Sequence, residues 1–583
     1  MTATIDRLLY RIKVSASSTT QAVCKTPALR IVLTLCIALA AVLAITGCTV
    51  GGGSWAGDRA VPENFLPEEI RTGGELAQRL DRNMDRLESE IYRPDAVFKA
   101  DDWPGDFVGR TILGTVLNSR ASGRAPQYLQ SIIEGLPSHL NEKGYLGPVY
   151  EGKDEQQLSG HGWLLRGLCE YYTLTGDGAI IPIICGIAAN LFLPDPQLYS
   201  SYPIEPQSRE GYSGAESGTI QNEVAGWRLS SDIGCVFIGM GGLIHAYGIL
   251  KFIPGTDPEL LAGMKDCIER MLERFRETNP VAIKAQTHAT LTACCALLRY
   301  YELTGEEQWL NVAEGRWKTY VAEGMTVNFE NYNWFGRPDS WTEPCAIIDS
   351  YILACGLWKH TLKAGYRDLA ELIYYNAICH TQRYNGGFGC DNCPSEENPY
   401  LKVHAPEAFW CCTMRGGEGL ARVAEGSYLH SGKTLYIPFF RESELRTGGI
   451  SLNQHTAYPF EGKVEIQILD NPGKFNRLYL PSASWMQEMT VKLNGKACPM
   501  NGNILERRLM AGDRIEVEFG LALREEKVPV LRDGEHSDGA DRIRVPFRKM
   551  IGPLIVDEEL KPLYHLMDST VWGNDYKRKI LYR

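Results

Sequence analysis

The 583-residue sequence has no excess of positive charge, no low-complexity tract and no long run of like charges. Its formal net charge of -11 argues against a nucleic-acid partner, because phosphate binding requires a basic surface. Cysteine, with 17 residues, is too sparse for a disulfide scaffold, and most cysteines lie in apolar helical patterns typical of buried thiols. The remaining composition, 44% hydrophobic and 22% charged, predicts a globular chain of more than one domain. A neutral or weakly charged ligand fits this balance best.

A continuous apolar run of about 20 residues, as a membrane span requires, is also missing. The apolar segment at residues 31–45 is shorter, follows several Lys and Arg residues, and ends in Ile-Thr-Gly-Cys at residues 45–48. This pattern resembles a bacterial lipoprotein cleavage site and predicts lipidation of Cys48. The alternative is an uncleaved single-span anchor. In either case we expect residues 1–55 to form a signal or anchor segment with its linker, and the protein to be exported and membrane-anchored.

Residues 56–430 read as a helical domain. Apolar segments of helix length alternate with Gly, Pro and Asp turns, and the stretches at residues 170–177 and 299–306 nearly repeat each other. In each repeat an amphipathic helix is predicted to end at a Thr-Gly, where glycine can take the left-handed conformation that closes a helix. With no clear parallel-strand signal, this pattern predicts helices stacked in a ring or solenoid around a pocket. His161 and His288, on the two repeated helices, are candidate pocket residues, although each could instead be an ordinary buried histidine.

The segment at residues 328–338 is crowded with aromatic and polar side chains and reads as a loop. Exposed aromatic rings beside Asn, Arg and Glu suit a sugar site, because the rings offer flat faces and the polar groups bind hydroxyls. Tyr332 and Trp334 are therefore candidate substrate-binding residues. The alternative is a packed connecting loop.

In residues 431–583 apolar and polar residues alternate, with a period of two. Val464, Ile466 and Ile468 alternate with polar residues, as do the apolar positions at 515, 517 and 519. Turns such as Leu-Asn-Gly-Lys at residues 493–496 separate these runs. The pattern predicts an antiparallel β-sandwich that supports the helical domain, or alternatively an independent carbohydrate-binding module.

The strongest chemical signal is a concentration of cysteine and glutamate. Glu343 and Cys345 form a Glu-x-Cys pair, and Phe-Trp-Cys-Cys at residues 409–412 places Cys411 and Cys412 side by side. Four such groups can bind one tetrahedral zinc ion, with Glu-x-Cys chelating from an extended segment. A zinc-bound thiol is deprotonated and can act as a nucleophile. Separate disulfides, a structural zinc site shared with the Cys-x-x-Cys at residues 390–393, and free core thiols remain open alternatives.

At these residues the chain resembles glycoside hydrolase family 127 and the related family 146, which include β-L-arabinofuranosidases. The resemblance continues through residues 433–438, 454–459, 510–513 and 552–554, and so covers both domains. It implies an (α/α)6 barrel followed by a C-terminal β-sandwich. It also implies a zinc ion held by Glu343, Cys345, Cys411 and Cys412, with Cys411 as the nucleophile. His161 and His288 correspond to substrate-contacting histidines.

The resemblance also requires an acid/base glutamate upstream of the zinc-binding glutamate. Glu330 is the nearest candidate, 13 residues before Glu343, and Glu323 is the second. The expected function is that of an exported, zinc-dependent retaining glycoside hydrolase acting on an oligo- or polysaccharide, foremost on β-linked L-arabinofuranose of plant or algal origin. The alternatives are the same fold acting on another sugar, and a surface lipoprotein that binds glycans without cleaving them.

Overall fold

The structure, a computed structural model, describes residues 61–99, 103–209, 217–395, 398–530, 543–564 and 576–582. Cys48 and the whole predicted segment 1–55 lie outside these residues. None of the helices described is both long enough and apolar enough to cross a bilayer.

Helices occupy most of the described chain between residues 74 and 425. They are α1 (Gly74–Leu87), α2 (Pro94–Val97), α3 (Asp106–Ser122), α4 (Leu129–Gly135), α5 (Glu155–Thr175), α6 (Ile181–Ile187), α7 (Gln197–Ser200), α8 (Val236–Leu250), α9 (Pro258–Glu277), α10 (Thr287–Thr304), α11 (Glu307–Glu323), α12 (Pro344–Thr361), α13 (Ala364–Ile373), α14 (Cys379–Thr381) and α15 (Cys412–Glu425).

Six of these helices pack in a cyclic order. Helix α3 packs on α5, α5 on α8, α8 on α10, α10 on α12, α12 on α15, and α15 returns to α3. Most of the other long helices lie against one of the six: α9 against α8, α11 against α10, and α13 against α12. The helical region predicted from the sequence is thus confirmed, and its central helices surround a common axis.

The predicted ends of the two repeated helices are confirmed. Helix α5 ends at Thr175 and helix α10 at Thr304, and the glycines that follow, Gly176 and Gly305, have φ values of 70° and 76°. A side chain would be strained in this left-handed conformation. The Thr-Gly sequence therefore predicted the ends of both helices correctly.

Glycines also let the central helices approach closely. A Cβ atom at Gly114 of α3 would lie 2.2 Å from the carbonyl oxygen of Met414 in α15. A Cβ atom at Gly162 of α5 would lie 2.6 Å from the carbonyl oxygen of Ile238 in α8. Real Cβ atoms cannot come so near, so these contacts require glycine, and they fix how far apart the helices that carry the site can lie.

Strands fill about half of the described chain after residue 428, with a few earlier. They are β1 (Glu63–Asn64), β2 (Ile70–Thr72), β3 (Lys153–Asp154), β4 (Ile220–Val224), β5 (Trp227–Ser230), β6 (Cys390–Asp391), β7 (Tyr400–Ala405), β8 (Leu429–Ser431), β9 (Thr434–Tyr436), β10 (Ser443–Arg446), β11 (Ser451–Thr456), β12 (Lys463–Asp470), β13 (Arg477–Tyr479), β14 (Gln487–Leu493), β15 (Lys496–Ala497), β16 (Ile504–Glu506), β17 (Arg514–Gly520), β18 (Leu523–Val530), β19 (Ile543–Ile551), β20 (Leu554–Val556) and β21 (Lys577–Lys579).

The strands form several sheets. The largest has the order β15-β14-β17-β12-β11-β10-β2 and is antiparallel throughout, and a second has the order β1-β8-β9-β13-β16. Val464 pairs with Val517 and Ile466 with Ile515, and all four side chains are buried. The predicted alternation is therefore confirmed. Strands β1 and β2 reach these sheets from the start of the described chain, and the predicted domain boundary at residue 430 stays a prediction.

Candidate metal and catalytic site

The four predicted metal ligands lie together where helices α12 and α15 begin. Glu343 and Cys411 are the residues that precede these helices, Cys412 is the first residue of α15, and Cys345 is the second residue of α12. One ligand atom from each residue lies within 4.8 Å of the other three. The expectation that Glu-x-Cys would chelate from an extended segment is wrong for Cys345, since the helix has already begun there.

The distances within this group suit a zinc ion. The Cys411 and Cys412 Sγ atoms are 3.2 Å apart, and the Cys345 and Cys412 Sγ atoms are 3.5 Å apart. Thiolates on one tetrahedral zinc, each about 2.3 Å from the metal, are separated by about 3.8 Å. Glu343 Oε2 is buried and has no hydrogen-bond partner within the described chain. A buried carboxylate oxygen without a partner beside three thiols is what a bound cation would satisfy.

Burial changes the protonation of the residues in this cluster. Burial, and next the carboxylate of Asp232, raise the pKa of Glu343 to about 8. Burial also raises the pKa values of Cys345 and Cys412 well above the usual thiol range. Without a cation, these groups therefore keep their protons at neutral pH, and a metal ion would replace protons on binding.

Two of the alternatives for the cysteines can be compared with the structure. Cys345, Cys411, Cys412 and Cys390 all carry thiols, so the alternative of separate disulfides at Cys411 and Cys412 is wrong. Cys390 lies near enough to Cys412 to raise its pKa. Among the described residues, however, the two groups with metal-ligand geometry include neither cysteine of the Cys-x-x-Cys motif.

An arginine that no sequence motif indicates borders the cluster. Arg110 Nη1 lies 3.4 Å from Cys345 Sγ, and Arg110 Nε donates to Asp106 at 2.6 Å. Its guanidinium also lies over the ring of Trp163, 4.2 Å from the centroid. No local motif marks Arg110, because 235 residues separate it from Cys345 and only the packing of α3 brings it there.

His288 presents one ring nitrogen without a partner. Its Nδ1 lies 2.8 Å from Asp349 Oδ2, and Asp349 also pairs with Arg415. A ring that donates from Nδ1 to a carboxylate keeps an acceptor lone pair on Nε2. That Nε2 is buried and has no hydrogen-bond partner in the part of the chain described. His288 can therefore accept a hydrogen bond from a ligand hydroxyl.

His161 is held differently. Its Nδ1 lies 2.8 Å from the carbonyl oxygen of Gln157, and its Nε2 accepts from the backbone N–H of Leu146 at 2.9 Å. Both ring nitrogens thus have protein partners, and the side chain is fully buried. Its substrate-contacting role stays a prediction, whereas its part in holding the turn at Leu146 is visible.

The loop at residues 328–338 is irregular, as predicted, but its aromatic side chains are not exposed. Tyr332 is 1% exposed and Trp334 is fully buried. Trp334 packs edge-to-face on Trp341, with ring centroids 5.1 Å apart. The expectation of exposed rings is therefore wrong, and the substrate-binding role of the two residues stays a prediction.

Glu330 lies beside the cysteine cluster and not within it. Its carboxylate groups with His380 and Asp391, the second set among the described residues whose atoms could hold a metal ion. Burial, and next Asp391, raise the pKa of Glu330 well above the usual range. The following residue, Asn331, faces the cluster instead and accepts the backbone N–H of Glu343 at 3.0 Å. Glu323, the second candidate, is the last residue of α11.

Asp232 is a further carboxyl group near the cluster. It is buried, its carboxylate accepts from the Ser217 hydroxyl and the Gly218 amide at 3.0 Å, and it acts electrostatically on Glu343. Burial raises its pKa to about 6. Sequence reasoning passed over Asp232 because it stands alone between strand β5 and helix α8.

Comparisons with known proteins show similarity in one segment of the sequence and in the fold. The model of the β-L-arabinofuranosidase GH127 middle domain matches residues 434–521. No curated protein sequence matches the chain. A solved GH127 β-arabinofuranosidase shares the fold with a TM-score of 0.62 at 15% identity, covering 85% of each chain. A structure described as a glycoside hydrolase gives 0.61 at 16%, covering 85% of this chain and 83% of that one. The GH127 β-L-arabinofuranosidase Ara127N of Geobacillus stearothermophilus T6 gives 0.55 at 15%, covering 82% and 80%.

The chain therefore has the fold of a class of glycoside hydrolases. Within that class it is GH127-like, by the matched segment and by the shared arrangement of a helical domain with several β-sheets.

Proposed function

We propose that this protein is an exported zinc-dependent retaining glycoside hydrolase with a cysteine nucleophile, acting as a β-L-arabinofuranosidase. The single observation that carries the proposal is the group of Glu343, Cys345, Cys411 and Cys412, whose ligand atoms lie within 4.8 Å of one another. The fold shared with GH127 structures supports it. The fold proposed in detail is an (α/α)6 barrel followed by a C-terminal β-sandwich.

Cys411 is the best placed of the three cysteines to meet a substrate. It is partly exposed, whereas Cys345 and Cys412 are fully buried. A zinc ion at this site supplies thiolate character to the cysteines at neutral pH. The Cys411 sulfur attacks the anomeric carbon, and the bond from that carbon to the leaving oxygen breaks. Water then displaces the sulfur, and two inversions leave the configuration retained.

The leaving oxygen needs a proton, and the attacking water must lose one, so a carboxyl group must serve both steps. Glu330 is the candidate from the sequence, and its carboxylate groups with His380 and Asp391 and not with Glu343 and the three cysteines. Asp232 is the second candidate, because its pKa of about 6 suits an acid that becomes a base in the next step.

The substrate binds next to the cluster. His288 Nε2, which has no partner among the described residues, is proposed to accept a sugar hydroxyl. Arg110 keeps the Cys345 sulfur in place and adds positive charge near the thiolates. The proposed setting is the outer face of a membrane, with the chain anchored through Cys48 or through an uncleaved N-terminal segment.

Hydrolysis by the purified full-length protein tests the proposal. We expect release of L-arabinose from a β-L-arabinofuranoside by the wild type, and loss of at least about 1,000-fold in kcat with Cys411→Ala at unchanged fold. Cys498→Ala, a cysteine in the β-sheet region, is the matched control and should keep full activity. Full activity of Cys411→Ala would contradict the nucleophile assignment. A folded wild type that binds glycans and cleaves none would favour the non-catalytic lipoprotein instead.

A further inference from the structure

The two aromatic residues that precede Cys411 are exposed. Trp410 is 52% exposed and Phe409 is 42% exposed, and their rings meet edge-to-face with centroids 5.1 Å apart. Large aromatic side chains normally bury most of their surface, so an exposed contacting pair is a feature that needs an explanation. Here the pair lies directly beside the partly exposed Cys411.

The turn that carries the pair is firmly held. The carbonyl oxygen of Ala408 accepts the backbone N–H groups of Cys411 at 3.3 Å, Cys412 at 2.9 Å and Thr413 at 3.2 Å. The Tyr92 hydroxyl donates to the carbonyl oxygen of Phe409 at 2.7 Å. The exposure of the rings therefore comes from a fixed backbone and not from a loose loop.

The residue before the turn is anchored as well. Arg86 donates to both carboxylate oxygens of Glu407, at 2.8 and 3.0 Å, and the Thr413 hydroxyl donates to the same carboxylate at 2.9 Å. A rigid backbone on both sides keeps the loss of conformational entropy on ligand binding small. An exposed aromatic face that is fixed in advance is well suited to bind a rigid, flat ligand face.

Trp410 directly precedes Cys411 in the sequence, and this position indicates which part of the substrate contacts the two rings. The sugar whose anomeric carbon is attacked must enter the site as far as the Cys411 sulfur, which is only partly exposed. The rest of the substrate, on the leaving-group side, then extends from the site towards solvent. Apolar C–H faces of a sugar pack well on aromatic rings, which have negative faces.

We infer that Trp410 and Phe409 form a binding platform for the sugar ring on the leaving-group side of the scissile bond. The preferred ligand class is thus a glycan with at least two sugar units, bound better than a glycoside of a small alcohol. This inference rests on the proposed function and adds to it the part of the substrate that determines selectivity.

The test compares two substrates that share the attacked sugar. One is methyl β-L-arabinofuranoside, which has no second ring, and the other is an L-arabinofuranosyl disaccharide with the same β linkage. With Trp410→Ala we expect kcat/KM to fall about tenfold for the disaccharide, as the loss of one ring contact and its apolar area predicts, and to change less than about twofold for the methyl glycoside. Trp410→Tyr, which keeps a ring, should recover most of the loss.

Phe460→Ala is the matched control, because Phe460 is 51% exposed and lies outside the site. It should leave both substrates unaffected. Equal losses on both substrates with Trp410→Ala and Phe409→Ala, or no loss on the disaccharide, would overturn the platform while leaving the hydrolase function in place. Thermal melting separates a binding loss from misfolding. Failure of the wild type to cleave either substrate would overturn the proposed function, and this inference with it.

Discussion

The Cys345 and Cys412 sulfur atoms lie 3.5 Å apart although 67 residues separate them in the chain. Cys345 is the second residue of helix α12 and Cys412 is the first residue of helix α15, so the contact depends on the packing of two helix ends. Positive partial charge at helix N-termini favours negatively charged groups there. The arrangement suits thiolates on a cation, and it leads to the first prediction.

The purified protein should hold about one zinc ion per chain, and Cys345→Ala should lose it, since two thiols and one carboxylate bind zinc more weakly than four ligands. Metal analysis of protein prepared without added zinc provides the measurement. Cys498→Ala, away from the cluster, should retain the metal. Retention of a full equivalent by Cys345→Ala would contradict the four-ligand site.

Removal of the metal with a chelator should abolish hydrolysis and lower the melting temperature, because Glu343 then remains buried without a partner for Oε2. Readdition of zinc should restore both. Activity that is unchanged after complete removal would show that the thiol acts without a metal.

Substrates with different leaving groups can show which of the two candidates, Glu330 or Asp232, is the catalytic acid. The true acid is needed most when the leaving group is a poor one, so its amide variant should lose far more activity on an alkyl glycoside than on an activated aryl glycoside. We expect this pattern, with a difference of roughly 100-fold, for Glu330→Gln, because burial and Asp391 raise the pKa of Glu330 well above the usual range and so keep a proton on it. Asp232→Asn should show small, equal losses on both substrates. The opposite result would give the acid role to Asp232.

Local patterns and family resemblance predicted different parts of this structure well. The Thr-Gly helix ends and the alternation of Val464 and Ile466 follow from the nearest few residues, and both are confirmed. The four cluster residues could be chosen because two short motifs carry them. Arg110 and Asp232 could not be, since each is a single residue whose role depends on how distant helices pack.

Exposure was the property that the sequence predicted least well. Tyr332 and Trp334 stand in a polar loop, and the loop is nevertheless covered, with Trp341 packed on Trp334. Trp410 reads as one apolar residue in a motif, and it is half exposed. In both cases the exposure of the side chain depends on how the chain folds over it, which local composition does not reveal.

Acid should weaken the fold through the two buried histidines. Burial lowers the pKa values of His161 and His288 to about 4, below the value of about 6.5 in an unfolded chain. The unfolded chain therefore binds more protons between these values, and stability falls as the pH decreases from about 6.5 to about 4. Each histidine contributes roughly 3 kcal/mol to this loss.

Denaturant unfolding at pH 7, 6 and 5 measures the effect. His161→Gln should have a smaller decrease in stability between pH 7 and pH 5 than the wild type, whereas the exposed His455→Gln should behave like the wild type. Equal pH dependence in all three proteins would show that other groups dominate acid unfolding.

The close contact between helices α3 and α15 gives the last prediction. At Gly114 a methyl group would lie 2.2 Å from the Met414 carbonyl oxygen, and 3.0 Å from its carbon, so the two backbones must separate. Overpacking of this kind, against backbone and not a flexible side chain, should lower the free energy of unfolding by roughly 2–4 kcal/mol. Cys412 is two residues from Met414, so Gly114→Ala should also weaken zinc binding.

A glycine in the outer helix α11 offers a matched control. Gly315 is exposed, and a Cβ atom there would meet nothing within 4 Å. Gly315→Ala should therefore raise the free energy of unfolding by roughly 0.5–1 kcal/mol through helix propensity alone. Denaturant unfolding and zinc titration of both variants distinguish the causes. A Gly114→Ala protein as stable as Gly315→Ala, with unchanged zinc affinity, would mean that α15 can shift without disturbing the cysteines, and that the cluster is held by its metal more than by its helices.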